Sequence, residues 1–448
     1  MDPIPRREAL AFWLKLGCIS FGGPAGQIAI MHRELVERRR WISERRFLHA
    51  LNYCMLLPGP EAQQLATYLG WLMHRTWGGI VAGALFVLPS LVMLIALSAI
   101  YVLYGHLPAV AGVFYGVKPA VAAIVLQAVW RIGSRTLRRP RQAPALWLIA
   151  LLSFEAITWL QVPFPWVVGA AALVGWLGAR WAPAQFQAGA SHGAAAIDDS
   201  AALIGDHTPR APHTRFKATR LALIIGIGAA LWCVPMALLV AFQGWQGALA
   251  QMGWFFTKAA LLTFGGAYAV LPYVYQGAVD HYQWLTGAQM IDGLALGETT
   301  PGPLIMVVAF VGFLGGWTTQ VFGPEARIAA AVVAAVVVTW FTFLPSFLFI
   351  LAGGPLVEST HGRLGITAPL TAITAAVVGV IASLGLFFIG HVARAPGAGP
   401  MVVAGLDLAS LAIGALALWA LQRWKLGVIP VIAGCALAGL ALRLSGLA

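Results

Sequence analysis

The sequence predicts an all-α polytopic integral membrane protein built from two homologous halves, and three observations predict it. Sixty per cent of the 448 residues are hydrophobic and only 10% are charged, with a mean hydropathy of +0.82, whereas soluble domains average about 25% charged residues. Apolar runs at 80–103, 143–160, 221–240 and 328–352 reach the ~20 residues that a membrane-crossing helix needs. A long segment of the first half also reappears in the second.

Two helix-breaking motifs carry the repeat. Residues 20–60, which begin with SFGGP and end with PGP, align with residues 263–303 at a shift of 243 without a gap. FGG then falls on FGG, PGP on PGP, and Trp41 on Trp284. Farther along, FVLPS at 86–90 aligns with TFLPS at 342–346, at a shift of 256. A duplication that keeps its helix breaks predicts that the breaks have a function.

Two segments separate the halves. Residues 183–220 are the one extended polar stretch, and their composition predicts an aqueous, cytoplasmic linker. Residues 221–243 predict an extra, unpaired transmembrane helix. We therefore expect a first transporter repeat at 1–182 and a second at 244–448.

The distribution of Arg and Lys predicts the side of the membrane on which each loop lies. Twenty-one of the 28 basic residues precede position 221; loop 32–46 carries six arginines, and its counterpart 279–292 has none. Short basic loops favour the cytoplasm. The N-terminus and loop 32–46 are both basic, so the segment between them cannot cross once. Residues 8–20 would form a helix of only about 20 Å, which ends near the middle of the bilayer.

The break motifs resolve this conflict as turns. Glycines allow the chain to reverse, and proline suits the first turn of a new helix. We expect each half to contain two re-entrant or broken helix hairpins plus spanning helices, entering from opposite sides of the membrane. Such an inverted-topology repeat is frequent in transporters; the alternative is a parallel duplication with ordinary spans. The inverted arrangement predicts a cytoplasmic N-terminus and linker and a periplasmic C-terminus.

The four breaks predict a substrate site near the bilayer midplane. Irregular backbone at that depth requires cover by protein or water, and helices that begin there at Pro24, Gly59, Gly266 and Gly302 would present unpaired N–H groups to an anion. The candidate substrate-binding residues are the break residues, their polar neighbours and two equivalent lysines: Lys15, Ser20, Phe21, Gly22, Gly23, Pro24, Pro58, Gly59, Pro60, Gln63, Lys258, Thr263, Phe264, Gly265, Gly266, Thr300, Pro301, Gly302 and Pro303.

Four charged residues near the breaks need separate interpretation. Lys15 and Lys258 lie in apolar half-helices, where a charge is costly and is a functional candidate; snorkelling towards the headgroups is the alternative. Glu61 and Glu298 adjoin the PGP motifs and are candidates for proton coupling, with helix capping as the alternative for Glu61. Nothing in the sequence predicts a metal or another cofactor.

The paired motifs resemble those of the chromate ion transporter family. The resemblance rests on FGGP, the loop tryptophan and PGP in the first half, and on FGG, its tryptophan and PGP in the second. Ala267 replaces the proline of the first FGGP, so the second turn is expected to differ. The resemblance implies a two-domain carrier of the bacterial inner membrane that exports chromate and confers resistance to it.

Several functions remain to be compared. The residues themselves support a dianionic oxyanion, for which sulfate is nearly isosteric with chromate. Our main hypothesis is a secondary active transporter; the alternative is a passive oxyanion channel or a sulfate-type transporter that uses the same site. The sequence lacks a Walker A motif, so we do not expect direct use of ATP, and we expect no enzyme activity. The expected partners are chromate and membrane lipid rather than nucleic acid, since the basic residues cluster in short loops; a homodimer is compatible with the sequence.

Overall fold

The chain folds almost entirely into helices in the computed structural model. The structure describes residues 4–21, 23–137, 140–186, 202–205, 212–264, 266–359, 367–394, 402–403 and 405–446. Five helices in this part of the chain are long and apolar enough to cross a membrane: α4, α5, α9, α14 and α15, as bounded below. The prediction of an all-α membrane protein is confirmed.

The helices follow one another with short connections. Those that precede the extra helix are α1 (Arg6–Ile19), α2 (Gly23–His32), α3 (Glu44–Leu56), α4 (Glu61–Tyr104), α5 (Pro108–Thr136), α6 (Pro144–Thr158), α7 (Phe164–Trp181) and the short α8 (Pro183–Phe186). The extra helix and those that follow it are α9 (Ala218–Gln243), α10 (Ala248–Leu261), α11 (Ala267–Tyr275), α12 (Gly287–Thr299), α13 (Val307–Thr319), α14 (Arg327–Ser359), α15 (Thr367–Ala393), α16 (Leu408–Arg423) and α17 (Val428–Leu444).

Shorter elements complete the fold. Two π-helical turns, at Arg33–Arg38 and Gln276–His281, follow α2 and α11. Single 3₁₀ turns occur at Pro212–Thr214, Leu304–Met306 and Pro324–Ala326, and the strands Val402–Val403 and Leu406–Asp407 pair antiparallel.

Helix α4 consists of two helices, 61–73 and 76–104. Residues 74–75 between them have non-helical backbone angles. The two segments then pack closely, because a Cβ built on Gly70 would lie 2.5 Å from the Cβ of Ala82. Helix α4 is therefore a hairpin that leads out of the PGP break and back across the fold.

The same local structures recur in both halves at the shift of 243. The two π-helical turns are related by it, and so are α3 and α12. Arg40 and Gln283, also equivalent, both adopt left-handed φ angles, of 50° and 53°. Ser43 and Thr286 cap α3 and α12 by accepting backbone N–H bonds at 3.3 and 3.2 Å. These caps satisfy otherwise unpaired N–H groups at each helix start.

The C-terminal parts of the two halves interlock. Helix α5 packs against α16 and α17, while its counterpart α15 packs against α6 and α7. Small residues allow this close approach: a Cβ on Gly116 would lie only 1.8 Å from the carbonyl oxygen of Cys435. Helices in membranes commonly associate through such small-residue contacts. Helices from both halves thus pack directly against one another in this part of the fold.

Candidate anion site at the four chain breaks

Four equivalent glycines turn the chain at the breaks. Gly23 and Gly266 have φ angles of +72° and +96°, and Gly59 and Gly302 have +126° and +106°. Residues with side chains rarely adopt these angles, whereas glycine does so readily. The FGG and PGP motifs thus end one helix and begin the next. Two predicted break residues, Gly22 and Gly265, lie outside the described residues.

Two equivalent hydrogen bonds join the breaks of opposite halves. The N–H of Gly302 donates to the carbonyl of Ser20 at 2.8 Å, and the N–H of Gly59 donates to the carbonyl of Thr263 at 2.7 Å. Both donors and both acceptors are related by the shift of 243. Each PGP turn therefore meets the FGG turn of the other half.

This geometry corrects the expectation that all four helix starts present free N–H groups. The N–H groups of Gly59 and Gly302 are occupied by carbonyl groups across the interface. Backbone polar groups buried away from water almost always find such partners. An anion at the breaks would therefore need donors other than these two amides.

A glutamine that sequence analysis did not select strengthens one of the two contacts. Gln27 is 1% exposed, and its Nε2 donates to the carbonyl of Gly302 at 2.5 Å and to that of Ser20 at 3.1 Å. At the other contact, Gln64, which also belongs to the first half, donates to the carbonyl of Pro58 at 2.7 Å. Side-chain amides thus complete the backbone network around the breaks.

Several buried polar atoms at the breaks have no hydrogen-bond partner among the described residues. They are the hydroxyl groups of three serines and the amide oxygens of three glutamines: Ser20, Ser90, Ser346, Gln27, Gln63 and Gln64. Each of these side chains is at most 1% exposed. Native proteins rarely leave such atoms unsatisfied unless water or a ligand pairs with them.

Ser90 and Ser346 were missed as site residues, although the repeat itself pointed to them. They are the serines of the FVLPS and TFLPS motifs and are related by the shift of 256. A Cβ on Gly302 would lie 3.1 Å from the Ser90 hydroxyl oxygen, and one on Gly59 would lie 2.4 Å from that of Ser346. Each serine thus lies against the PGP turn of the opposite half.

The other predicted break residues surround this network. Those that are buried are Pro60, Thr263, Gly266, Thr300, Pro301 and Pro303, and those that are partly buried are Phe21, Pro24, Pro58 and Phe264. The hydroxyl groups of Thr263 and Thr300 donate to helix carbonyls at 2.7 and 3.1 Å.

The predicted lysines are more exposed than the buried residues of the network. Lys15 is exposed on α1. The ammonium of Lys258 lies 5.6 Å from the ring centroid of Trp254, in a cation–π contact on the partly exposed side of α10. These positions agree with the snorkelling alternative at least as well as with a role at the breaks, and the role of both lysines stays a prediction.

The two predicted carboxylates differ in their surroundings. Glu298, at the end of α12, is 6% exposed and accepts a short hydrogen bond from the hydroxyl of Tyr268. Glu61 is the first residue of α4 and is partly buried. A carboxylate held within the fold by a tyrosine is suited to take up and release a proton.

An ion pair also joins the halves, and it was missed as well. The ammonium of Lys118 on α5 lies 3.5 Å from a carboxylate oxygen of Asp292 on α12. The same oxygen accepts a hydrogen bond from Tyr101 at 2.9 Å. Lys118 and Asp292 have no charged counterparts in the repeat, so the sequence offered no signal that would pair them.

Comparison with known proteins identifies the family. A family model described as "Chromate transporter" matches residues 7–176 and 250–440. The chain belongs to the chromate transporter family. The resemblance seen in the two break motifs is therefore confirmed, and the match includes both halves of the chain.

Curated relatives have the same family name. The chain is 32% identical to the "Chromate transport protein" of Cupriavidus metallidurans, over 84% of this chain and 80% of the relative. It is 31% identical to that of Pseudomonas aeruginosa, over 98% and 92%, and 29% identical to a "Probable chromate transport protein" of Synechococcus elongatus, over 84% and 82%. No solved structure matches the chain. The protein is thus a multi-pass membrane protein of the chromate transporter family.

Proposed function

We propose that this protein is a secondary active transporter that moves chromate out across the bacterial inner membrane and so confers chromate resistance. The observation that supports it is the pair of equivalent hydrogen bonds between the breaks of opposite halves, in a chain of the chromate transporter family. Many transporters form their substrate sites where broken helices of two repeats meet within the bilayer.

The unpartnered polar atoms suit a hydrated oxyanion. Hydroxyl groups such as those of Ser90 and Ser346 donate to oxyanion oxygens without the cost of an additional buried charge. Amide oxygens such as that of Gln63 cannot donate, but they accept hydrogen bonds from water that accompanies the ion. The partial positive charge of the helix starts adds a favourable potential for a dianion.

We further propose that the halves, at 1–182 and 244–448, form an inverted-topology repeat. The first supporting contacts involve the basic loop of the first half. The N–H of Ser43 donates to the carbonyl of Ile204 in the linker at 3.1 Å. His213, also in the linker, lies 3.1 Å from the carbonyl of Trp71, near the turn of α4. The described linker residues Ile204 and His213, the basic loop and this turn therefore share one end of the molecule.

The supporting contacts at the other end involve Gln276, just before the counterpart loop, and Asp292, the last residue of that loop. The N–H of Phe164 donates to the side chain of Gln276 at 3.2 Å, and Tyr101 donates to Asp292 at 2.9 Å. Tyr101 lies 25 residues beyond Thr76, or about 38 Å along a helix. Helix α9, an unpaired span, would start the second half on the opposite side of the membrane.

Cysteine labelling tests this topology. In a cysteine-free background, Arg40→Cys should react only with reagent on the cytoplasmic side, and Gln283→Cys only with reagent on the periplasmic side; both residues are exposed. The two positions are equivalent in the repeat, so each is the control for the other. Labelling of both from the same side would establish the parallel duplication instead.

We propose that Glu61 and Glu298 couple transport to protons. Both adjoin a PGP turn, and Glu298 is held by Tyr268, so a change in its charge would act next to the network at the breaks. Proteoliposomes with an imposed pH gradient should accumulate chromate, and an uncoupler should abolish the accumulation. Flux down the chromate gradient alone, unaffected by the uncoupler, would establish the passive channel.

Substrate selectivity needs a separate measurement, because neutral hydroxyl donors do not distinguish two tetrahedral dianions of similar size. We expect sulfate to compete with chromate in the same proteoliposomes. If excess sulfate abolishes chromate flux and is itself transported faster, the protein is a sulfate-type transporter.

A further inference from the structure

We propose that a basic cavity at the start of α1 binds the phosphate headgroup of an anionic phospholipid. The cavity has a volume of 680 Å³ and lies between the first turns of α1 and the turn of α4. Three arginines line it, Arg6, Arg7 and Arg75, and none of the described residues that line it is acidic. This site is separate from the breaks and does not depend on the proposed transport function.

The arginines provide the part of the site that would bind the headgroup. Guanidinium groups form paired hydrogen bonds with phosphate oxygens, and basic pockets between helices on the cytoplasmic side bind anionic headgroups. Glu8, the nearest acidic residue along α1, is engaged elsewhere, since its carboxylate pairs with Arg39 at 2.8 Å. The lining therefore has a positive potential.

Apart from the three arginines, His74 and Thr76, the side chains that line the cavity are apolar, which favours a lipid over a free anion. Leu10 and Val81 line it. Trp77 also lines it and is 76% exposed, while Leu10 is 48% exposed. Tryptophan is enriched at the level of lipid headgroups, where an amphipathic ring is most stable. A ligand with one anionic end and acyl chains matches both parts of the wall.

The backbone around the cavity is fixed before any ligand binds. The imidazole of His74 lies 2.8 Å from the carbonyl of Ile4, which ties the chain start to the turn. Arg220 donates to the hydroxyl of Thr76 at 3.0 Å, which ties α9 to the same turn. Arg75 itself has a φ of 60°, an uncommon angle for a residue with a side chain that is often retained at functional positions.

Lipid retention measured by native mass spectrometry tests the proposal on the full-length protein. The double variant Arg7→Gln/Arg75→Gln should retain phosphatidylglycerol on the order of tenfold less than the unmodified protein, whereas phosphatidylcholine retention should not change. The matched control is Arg135→Gln/Arg141→Gln, which removes the same charge from another basic loop and should retain the lipid normally. Equal losses in both variants would overturn the proposal in favour of diffuse attraction.

Two further measurements distinguish a lipid from a small anion and test the site without relying on variants that could misfold. Inorganic phosphate and chromate, added at millimolar concentration, should not displace phosphatidylglycerol; if either does, the cavity is a site for small anions. A photoactivatable phosphatidylglycerol, used on the unmodified protein, should crosslink to α1 and to the start of the second segment of α4. Crosslinks distributed over all lipid-facing helices would overturn the proposal even if the arginine variants fail to fold.

Discussion

Replacing Gly59 with alanine should separate the halves at one of their two equivalent contacts. The added Cβ would lie 2.4 Å from the hydroxyl oxygen of Ser346 and 2.6 Å from the amide nitrogen of Gln64. Both distances are shorter than real Cβ contacts, so neighbouring groups must move. Ser346 belongs to a rigid helix, and Gln64 is held by its bond to Pro58, so the strain should be transmitted to the hydrogen bond between Gly59 and Thr263.

The size of the effect can be worked out by comparison with Gly266. Both glycines have left-handed φ angles, +126° and +96°, so alanine at either position costs about 1–3 kcal/mol in backbone strain. Only Gly59 is crowded, because a Cβ on Gly266 would have nothing within 4 Å. Overpacking typically adds about 1–3 kcal/mol. We therefore expect Gly59→Ala to lower the free energy of unfolding by about 1–3 kcal/mol more than Gly266→Ala.

The assay is chemical unfolding of the purified protein in mixed micelles, with chromate flux measured on the same preparations. Adding Ser346→Ala to Gly59→Ala removes the closest atom, and the double variant should recover on the order of 1 kcal/mol relative to the sum of the single changes. Equal destabilisation by Gly59→Ala and Gly266→Ala, together with strict additivity of Gly59→Ala and Ser346→Ala, would refute the contact between halves.

Three other predictions follow from the described contacts. Ser90→Ala and Ser346→Ala should each raise the KM for chromate about tenfold with normal membrane insertion, since a hydrogen bond to a charged group contributes about 1.5–3 kcal/mol; unchanged KM values in both would exclude these serines from the site. Lys118→Ala should lower the thermal unfolding midpoint because it leaves the buried Asp292 carboxylate without its cationic partner, and adding Asp292→Asn should restore most of the loss; an equal midpoint in the single and double variants would contradict this. Burial lowers the pKa of His213, so its neutral form stabilises the packing of this residue against the Trp71 carbonyl. That stability is present above a pH of about 6.5 and is lost as the pH falls through the lowered pKa, which the rate of proteolysis near His213 at pH 5 and pH 7.5 would measure.

The sequence predicted the helices at the breaks well because their ends are chemically marked. Helix α3 ends at Leu56 and α4 begins at Glu61, on either side of the PGP motif at 58–60, as expected where proline and glycine interrupt the helical hydrogen bonds. The π-helical turn at Arg33–Arg38 was not predicted. Its apolar spacing is that of an ordinary helix, and nothing in its composition distinguishes the two.

Contacts between distant segments could not be predicted in the same way. The repeat indicated that Gly59 and Gly302 are equivalent, but not that each would donate to the opposite half. We expected free N–H groups there because the sequence shows no carbonyl group near them. The carbonyl groups of Ser20 and Thr263 come within hydrogen-bond distance only when the two halves pack together. The pair of Lys118 and Asp292 was missed for the same reason, because it depends on α5 packing against α12.

The two contacts at the breaks are equivalent in backbone but not in side chains, and this difference bears on how the halves would move. Gln27 binds both the donor residue and the acceptor of the contact between Ser20 and Gly302. The residue that corresponds to Gln27 in the second half is Val270, which forms no such hydrogen bonds. An inverted repeat changes the side to which its site opens when the halves exchange conformations, so the contact without this brace, between Gly59 and Thr263, should be the easier one to open. The side of the membrane to which the site opens in the resting protein would then depend on Gln27, which has no glutamine counterpart in the second half.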